Sequence, residues 1–249
     1  MQIVVDQLVT TYQLTGSGKV VVLLHGWGDS SKGLAALQAE LAKHYQVLAL
    51  DLPGFGGTQS PATAWGLSDY SLFVAAVLTK LKLKSYAIVG HSNGGAIAIR
   101  GVAQGVLKPD RLVLLASSGI RSQYNGRKKA MRLAAKGAKT LTKPLPKSIQ
   151  RRLRTKAYAT IGSDMLVAEH LQETFKRIVN DDVQADAARV QQHTLLIYGD
   201  DDTATPVAYG ELLQSEIGFS DLHVLPDAGH FIHLDQPRIV ASLIQEFLA

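Results

Sequence analysis

The sequence predicts an α/β fold in which a mostly parallel central sheet of about eight strands is flanked by helices. Short apolar runs of strand length alternate along the chain with stretches whose apolar residues have helical spacing. Turn-forming residues separate most of these segments, and the 249 residues, 46% of them hydrophobic, are enough to bury one large core. The alternation breaks between residues 120 and 185, which predicts a helical lid (cap) inserted into a core domain of residues 1–119 and 186–249.

The core domain begins with predicted strands. Alternating segments from Ile3 to Leu14 and from Lys19 to Leu24 flank the turn Gly16-Ser17-Gly18, which predicts an N-terminal antiparallel hairpin. The next predicted elements are a helix from about Lys32, a strand over Gln46–Leu50, a helix whose buried face runs from Tyr70 to Leu81, a strand over Tyr86–Val89, a helix over Asn93–Val106 and a strand over Arg111–Ala116.

The same rhythm resumes after the insertion. It predicts strands over Thr194–Tyr198 and Leu222–Leu225, a helix from about Val207 between them, and a last helix that carries Val240 and Ile244 on its apolar face. Within the insertion, Ser163 or Asp164 is a candidate cap of a further helix. The apolar face of that helix would consist of Val167, Leu171, Phe175 and Ile178.

Composition excludes several classes of protein. The chain has no cysteine, so a disulfide framework, a thiolate zinc site and a cysteine nucleophile are all ruled out. Met1 leads directly into a strand pattern, without the basic and apolar regions of a signal peptide. No stretch approaches the length of a membrane span, and we therefore expect a soluble, cytoplasmic protein.

The segment Gly90-His91-Ser92-Asn93-Gly94 lies between a predicted strand and a predicted helix. A serine at such a sharp turn projects its hydroxyl above the sheet, and the flanking glycines let neighbouring backbone approach. The start of the helix also supplies free amides beside a developing oxyanion. The pattern predicts Ser92 as a nucleophile; the alternative is a glycine-rich turn that only packs the helix against the sheet.

A second loop, His25-Gly26-Trp27-Gly28, follows another predicted strand. Acyl transfer needs two amide donors that converge on the carbonyl oxygen, which makes an oxyanion hole. We predict the backbone amides of Asn93 and Trp27 for this role. The alternative to this role of the loop is that His25 and Gly26 only shape a turn. We interpret His25 itself as a structural side chain that forms hydrogen bonds within the loop.

A serine nucleophile needs a base, and the base needs an orienting acid. Asp200-Asp201-Asp202 follows one predicted strand and His230 follows the next, in the order Ser, Asp, His that accompanies such a serine turn. His233 is the rival base. The adjacent aspartates also suggest a calcium or magnesium loop, but the alternating ligand positions and the closing glutamate of a typical calcium loop are missing.

Taken together, these motifs resemble the α/β-hydrolase superfamily, in its esterase-like serine hydrolase branch. The nucleophile elbow Gly-x-Ser-x-Gly matches residues 90–94, the oxyanion loop His-Gly-x-Gly matches residues 25–28, and Asp-x-Pro-Gly-x-Gly matches residues 51–56. The late motif Gly-x-x-Asp-x-x-x-Pro selects Asp202 from the three aspartates, and Gly-His falls on His230. The resemblance implies the α/β-hydrolase fold and a catalytic triad of Ser92, Asp202 and His230.

The resemblance also implies an activity. It points to hydrolysis of a carboxylic ester, thioester or lactone of a small to medium acyl substrate through an acyl-enzyme, with no cofactor and no metal. A C–C bond hydrolase or lyase with the same triad and a non-catalytic, receptor-like member remain alternatives. Asn93 stands where many relatives carry Met or Gln, and we expect it to add a polar group to the pocket.

Charge is unevenly distributed. The segment from Arg121 to Lys156 contains 13 Lys or Arg and no Asp or Glu, whereas the rest of the chain has 13 basic and 21 acidic residues. Three interpretations stay open: a solvated cationic face on a lid, contact with an anionic membrane surface, and attraction of an anionic substrate. We expect no nucleic-acid partner, because no recognised binding module accompanies the charge.

Overall fold

The computed structural model of the chain describes residues 1–121 and 168–249. Its strands are β1 (Gln2–Val5), β2 (Leu8–Thr15), β3 (Val20–Leu24), β4 (Gln46–Leu50), β5 (Ser85–His91), β6 (Arg111–Leu115), β7 (His193–Gly199) and β8 (Ser220–Leu225). They form one sheet in the order β1-β2-β4-β3-β5-β6-β7-β8. The pairs β1–β2 and β2–β4 are antiparallel and the remaining pairs are parallel, which confirms the predicted sheet with an antiparallel N-terminal pair.

The predicted position of the hairpin turn is wrong. The hairpin is β1–β2, and its turn is at Asp6 and Gln7, both of which have positive φ. β2 pairs with β4 rather than with β3, so the chain crosses the start of β4 between β2 and β3. Gly16 makes this crossing possible, because a Cβ atom there would lie 2.1 Å from the carbonyl oxygen of Tyr45.

The described helices are α1 (Ala35–Leu41), α2 (Leu67–Leu81), α3 (Asn93–Ala103), α4 (Gln172–Val179), α5 (Gln184–Ala187), α6 (Val207–Glu216), α7 (Ile232–Asp235) and α8 (Pro237–Leu248). A 3₁₀ turn, Glu169–Leu171, directly precedes α4. Among the described residues, no helix combines the length and the apolar character needed to span a membrane.

The core consists of two layers, one on each face of the sheet. Along β3, Val20, Val22 and Leu24 belong to the layer that packs against α2 and α3, while Val21 and Leu23 belong to the layer beneath α1 and α8. This alternation follows from the two-residue period of a strand. Because helices cover both faces, β3 is buried along its whole length, as expected for a parallel strand in the middle of a sheet.

The predicted lid lies mostly outside the described residues. The candidate caps Ser163 and Asp164 and the basic segment up to Lys156 belong to residues 122–167, so the lid boundaries and the role of the basic charge stay predictions. Of the predicted helical face, Leu171 and Ile178 are buried. The helix that carries Ile178 begins at Gln172.

Hydrogen bonds and ion pairs connect the chain that precedes residues 122–167, the chain that follows them, and helix α3. The amide of Val183 donates to the carbonyl of Gly119 over 2.9 Å. On α3, Arg100 forms ion pairs with Asp181 at 2.8 Å and with Asp186 at 2.5 Å. Arg100 and Asp186 are largely shielded from solvent, and the charge-assisted hydrogen bonds hold Asp181 and Asp186 against the helix that begins beside Ser92.

Candidate active site

Ser92 occupies a strained turn between β5 and α3. Its backbone has φ 51° and ψ −115°, and its amide donates to the carbonyl of Leu115 on the neighbouring strand over 2.9 Å. For a residue with a side chain, such a positive φ costs about 1–3 kcal/mol. Two glycines permit the turn: a Cβ on Gly90 would lie 2.6 Å from the backbone of Gly94, and one on Gly94 would lie 2.2 Å from the carbonyl oxygen of Leu24.

The structure brings the three predicted triad side chains together at the carboxyl edge of the sheet. His230 Nε2 lies 3.0 Å from Ser92 Oγ, and His230 Nδ1 lies 2.8 Å from Asp202 Oδ2. Ser92 follows β5, Asp202 follows β7 and His230 follows β8. These strands are parallel, so their carboxyl ends meet at one edge, and loops of three to five residues are enough to bring the side chains into contact.

Asp202 is the most firmly held member of this group. Its Oδ1 accepts the amides of Ala204 at 2.8 Å and Thr205 at 2.9 Å, and its Oδ2 accepts the hydroxyl of Thr205 at 2.6 Å besides His230. Burial raises the pKa of the Asp202 carboxyl, but hydrogen bonds from His230 and Thr205 outweigh burial and hold this pKa below its ordinary value. Asp202 is therefore a carboxylate at neutral pH.

The other two aspartates of this loop are placed differently. Asp200 and Asp201 are exposed, whereas Asp202 is 4% exposed and faces His230. Among the residues described, no group of three or more His, Asp or Glu side chains is arranged to hold a metal ion.

His91 connects the nucleophile turn to the loop that carries His230. Its Nε2 donates a hydrogen bond to the carbonyl of His230 over 2.9 Å, and its ring lies 5.0 Å from the imidazole of His230 and 4.6 Å from that of His233. Burial, followed by the nearby charges of His233 and His230, holds the pKa of His91 well below 6.5. His91 is thus a neutral donor at neutral pH, and Nε2 carries its hydrogen.

His233, the rival base, is buried and packs against the ring of His91. It is 1% exposed, and burial lowers its pKa to about 4. The imidazole that accepts the hydrogen bond of the Ser92 hydroxyl is His230, whose side chain is 21% exposed and therefore accessible from the solvent side.

The two predicted oxyanion donors belong to the helix and to the loop that adjoin Ser92. Asn93 is the first residue of α3, where backbone amides have no acceptor within the helix. Trp27 lies in the loop after β3, the parallel neighbour of β5, and a Cβ on Gly26 would lie 3.2 Å from the Cβ of Ser92. The Trp27 ring packs against Phe55 at 4.9 Å and Phe175 at 5.1 Å.

His25 forms hydrogen bonds within its own region, as the structural interpretation expects. Its Nε2 accepts the amide of Leu52 at 2.9 Å, and its Nδ1 donates to the carbonyl of Gly26 at 2.7 Å. Burial lowers the pKa of this fully buried imidazole, despite the hydrogen bond to Gly26. Asp51 ties the same loops together by accepting the amides of Ser31 at 2.7 Å and Gly57 at 2.8 Å.

Two residues of the site were missed by the sequence reasoning. Thr205 binds Asp202 through both its amide and its hydroxyl, and His91 binds the carbonyl of His230. A partial signal exists in the sequence, because an aspartate side chain commonly accepts backbone amides two or three residues further on, which for Asp202 are those of Ala204 and Thr205. The contact of His91 spans 139 positions in sequence, and no local pattern reveals it.

Fold and site together define a class: α/β proteins with a Ser–His–Asp constellation at the carboxyl edge of a parallel sheet. Comparison with known families agrees with this class. Residues 21–243 match the model of the alpha/beta hydrolase family, and the chain belongs to that family.

Individual relatives share the fold over nearly their whole length. The 2-hydroxy-6-oxo-2,4-heptadienoate hydrolase of Pseudomonas putida is 28% identical over 254 residues, covering 94% of this chain and 90% of the relative. An esterase from Thermogutta terrifontis superposes with a TM-score of 0.75 at 21% identity, over 100% of this chain and 97% of the esterase. A meta-cleavage product hydrolase from Pseudomonas fluorescens superposes with a TM-score of 0.74 at 22% identity. The superposition covers 99% of this chain and 96% of that hydrolase.

Proposed function

We propose that this chain is a serine hydrolase that cleaves a carboxylic ester, thioester or lactone of a small to medium acyl substrate. The observation that carries the proposal is the continuous hydrogen-bonded path from Ser92 Oγ through His230 to the Asp202 carboxylate. Family membership and the hydrolases among the relatives support the broader class of hydrolase. The ester bond as target is our proposal within that class.

In the first half-reaction, Ser92 Oγ attacks the carbonyl carbon while its proton passes to His230 Nε2. The carbonyl electron pair moves onto oxygen, and the amides of Asn93 and Trp27 donate to this oxyanion, each lowering the barrier by about 3 kcal/mol. When the tetrahedral intermediate collapses, the bond to the leaving oxygen or sulfur breaks. His230 gives its proton to the leaving group, and an ester to Ser92 remains.

Water completes the reaction in the second half. It transfers a proton to His230 Nε2 and attacks the acyl carbon, and the collapse of this second intermediate breaks the bond to Ser92. The serine oxygen regains its proton from His230, and the carboxylic acid is released. One water is consumed for each bond cleaved.

Asp202 and Thr205 prepare His230 for both steps. The carboxylate accepts Nδ1–H, which leaves Nε2 unprotonated and able to take the proton of Ser92. The negative charge then stabilises the imidazolium. Because Thr205 and two backbone amides fix Asp202, the imidazole needs no reorientation during the reaction.

A second candidate function is hydrolysis of a C–C bond next to a ketone. The relatives favour it: a 2-hydroxymuconate semialdehyde hydrolase of Pseudomonas sp. is 28% identical over 100% of this chain, as closely related as the heptadienoate hydrolase. The same arrangement serves this reaction when the leaving group is a stabilised carbanion that takes a proton as the bond breaks.

The test compares p-nitrophenyl esters and thioesters of increasing acyl length with a 2-hydroxy-6-oxo-dienoate, for the wild type and Ser92→Ala. We expect turnover of short to medium esters and a fall in kcat of about 10⁴-fold or more in the variant. Ser215→Ala, which changes an exposed serine of α6, is the matched control and should behave as the wild type.

Two results would change the proposal. Ester turnover that survives in Ser92→Ala would remove Ser92 as the nucleophile. A kcat/KM for the dienoate that exceeds that of every ester, and that is lost in Ser92→Ala, would replace ester hydrolysis by C–C bond hydrolysis.

A further inference from the structure

Asn93 carries an unsatisfied carboxamide in the middle of the site. The residue is 3% exposed, and neither Oδ1 nor Nδ2 has a hydrogen-bond partner among the described residues. A carboxamide offers two donor hydrogens and an acceptor oxygen with two lone pairs. Leaving such groups buried and unpaired is unfavourable, and native structures contain few of them. Satisfying this side chain therefore needs a partner beyond the described residues, such as a ligand or a water molecule.

The position of Asn93 favours a ligand. Its backbone follows Ser92 directly, so its side chain branches from the residue whose amide faces the reacting carbonyl in the proposed mechanism. Asn93 has no capping role, because the N-cap of α3 is Ser92. The N-cap side chain itself makes no capping bond. An apolar residue of similar size would fill the same volume without unpaired polar atoms, so the local structure alone gives no reason for an amide here.

A cavity is lined by the residue one helical turn further along α3. Its volume is about 190 Å³. Ala96, one helical turn after Asn93, lines it together with Thr205, the residue that binds Asp202. Residues three apart share a helix face, so the cavity and Asn93 lie on the same side of α3. Leu67 and Ile178 give the cavity an apolar part, and Ser118 adds a polar wall.

We infer that the Asn93 carboxamide is an acyl-side binding group that hydrogen-bonds a hydroxyl or keto oxygen close to the scissile carbonyl. The preferred substrates are then short hydroxyacyl or oxoacyl esters rather than plain alkanoyl esters. An amide suits either oxygen, because it donates to a ketone and both donates to and accepts from a hydroxyl. The inference rests on the proposed function, since it requires an acyl group bound at Ser92.

Two pairs of p-nitrophenyl esters test it: lactate against propionate, and 3-hydroxybutyrate against butyrate. Members of each pair differ by one hydroxyl. The measured quantity is the ratio of kcat/KM values within a pair, compared between the wild type and Asn93→Leu, so that the intrinsic reactivity of each ester cancels. In Asn93→Leu, we expect kcat/KM for the hydroxyacyl ester of at least one pair to fall about tenfold more than kcat/KM for its plain partner. A tenfold difference corresponds to about 1.4 kcal/mol, as expected for the loss of one hydrogen bond.

Two controls accompany this measurement. Gln104→Leu removes the other carboxamide near α3, which binds Ser68 at 3.0 Å, and it should leave the ratio as in the wild type. Thermal unfolding of Asn93→Leu should occur at the wild-type temperature or above, because an unpaired buried amide is replaced by an apolar group. If the leucine variant does not fold, Asn93→Met takes its place.

An equal loss for both members of each pair, or a lowered unfolding temperature with unchanged ratios, would overturn the inference and make Asn93 a structural residue. Wild-type turnover that depends on Ser92 would then leave the proposed function standing. Absence of turnover of all four esters by the wild type, with turnover of longer esters or thioesters, would overturn the inference alone, whereas absence of turnover of the whole ester and thioester series would overturn both.

Discussion

On the acid side of the site, the Asp202 carboxylate accepts hydrogen bonds from two backbone amides, the Thr205 hydroxyl and His230. On the nucleophile side, the Asn93 carboxamide and Nδ1 of His91 are buried without a partner among the described residues. The difference indicates a division of roles. The acid side is complete before substrate arrives and fixes the base, whereas the nucleophile side contains polar groups that a substrate can complete.

The largest effect should come from breaking the acid side. Asp202→Asn keeps the size of the side chain but removes its charge, and its amide favours the tautomer of His230 that cannot accept the proton of Ser92. We expect kcat to fall by about 10⁴-fold, as such a change does in other serine triads. Asp201→Asn changes the exposed neighbouring aspartate and should retain wild-type kcat. Similar losses in both variants would mean that Asp202 is not the orienting acid.

The next largest effect concerns the pH dependence of the free energy of unfolding. It comes from His233, whose ring packs against His91 on the nucleophile side. The pKa of His233 is about 4 in the folded state, against 6.5 for an ordinary histidine. Between these values the unfolded chain binds a proton that the folded protein does not, so the free energy of unfolding falls as the pH falls from 6.5 to 4. The total loss from this group is about 3 kcal/mol.

His233→Leu removes this contribution, while the buried His25 and His91, whose pKa values are also lowered, remain in both proteins. Urea unfolding at a series of pH values should show a smaller slope between pH 6.5 and 4 in the variant than in the wild type. Asp202 does not interfere in this window: its pKa is lowered by folding, so its stabilisation is present above the ordinary carboxyl pKa and is lost only as the pH falls below it. Equal slopes in variant and wild type would show that His233 is not buried in the neutral form.

A smaller effect should follow from cutting the contact between the two sides. His91→Phe preserves a buried ring but removes the hydrogen bond to the carbonyl of His230. We expect kcat to fall about tenfold with little change in KM, because the imidazole is less well aligned with Ser92. His44→Phe changes an exposed histidine and serves as the control. A rise in KM at constant kcat would instead assign His91 to substrate binding.

The smallest effect should come from Thr205→Val, which removes one of the four hydrogen bonds to Asp202 and keeps the shape. We expect kcat to fall by a few-fold, up to about tenfold. The pKa of Asp202 should move up towards its ordinary value, so that less stability is lost than in the wild type as the pH falls below the ordinary carboxyl pKa. Thr203→Val, at an exposed position, is the control. An unchanged acid stability would mean that His230 and the backbone amides set this pKa without the Thr205 hydroxyl.

Much of the fold could be predicted because its signals are local. Gln46–Leu50 is an apolar run bounded by a helix and a Pro-Gly loop, and the structure has β4 with the same bounds. The hairpin turn was misplaced because Gly16-Ser17-Gly18 does signal a reversal, but the sequence does not show that β4 lies between β2 and β3. Pairing order depends on contacts far apart in sequence, which no local pattern records.

The same distinction applies to the site. Ser92 and His230 each follow an apolar run, so local pattern and chain order were enough to select them as neighbours, whereas Asp202 was selected from three adjacent aspartates through the family motif that it matches. His91 and Thr205 act through contacts that exist only in the folded chain. The unpaired amide of Asn93 likewise became visible only when burial and hydrogen bonds were known.

The most direct test of the account is to locate covalent modification by a fluorophosphonate, which reacts with serines activated by a hydrogen-bonded base. Peptide mass spectrometry should find a single phosphonyl group on Ser92, formed about 10³-fold more slowly or not at all in His230→Ala. Modification of a different residue, or an equal rate in the variant that lacks the imidazole, would contradict activation of Ser92 by His230.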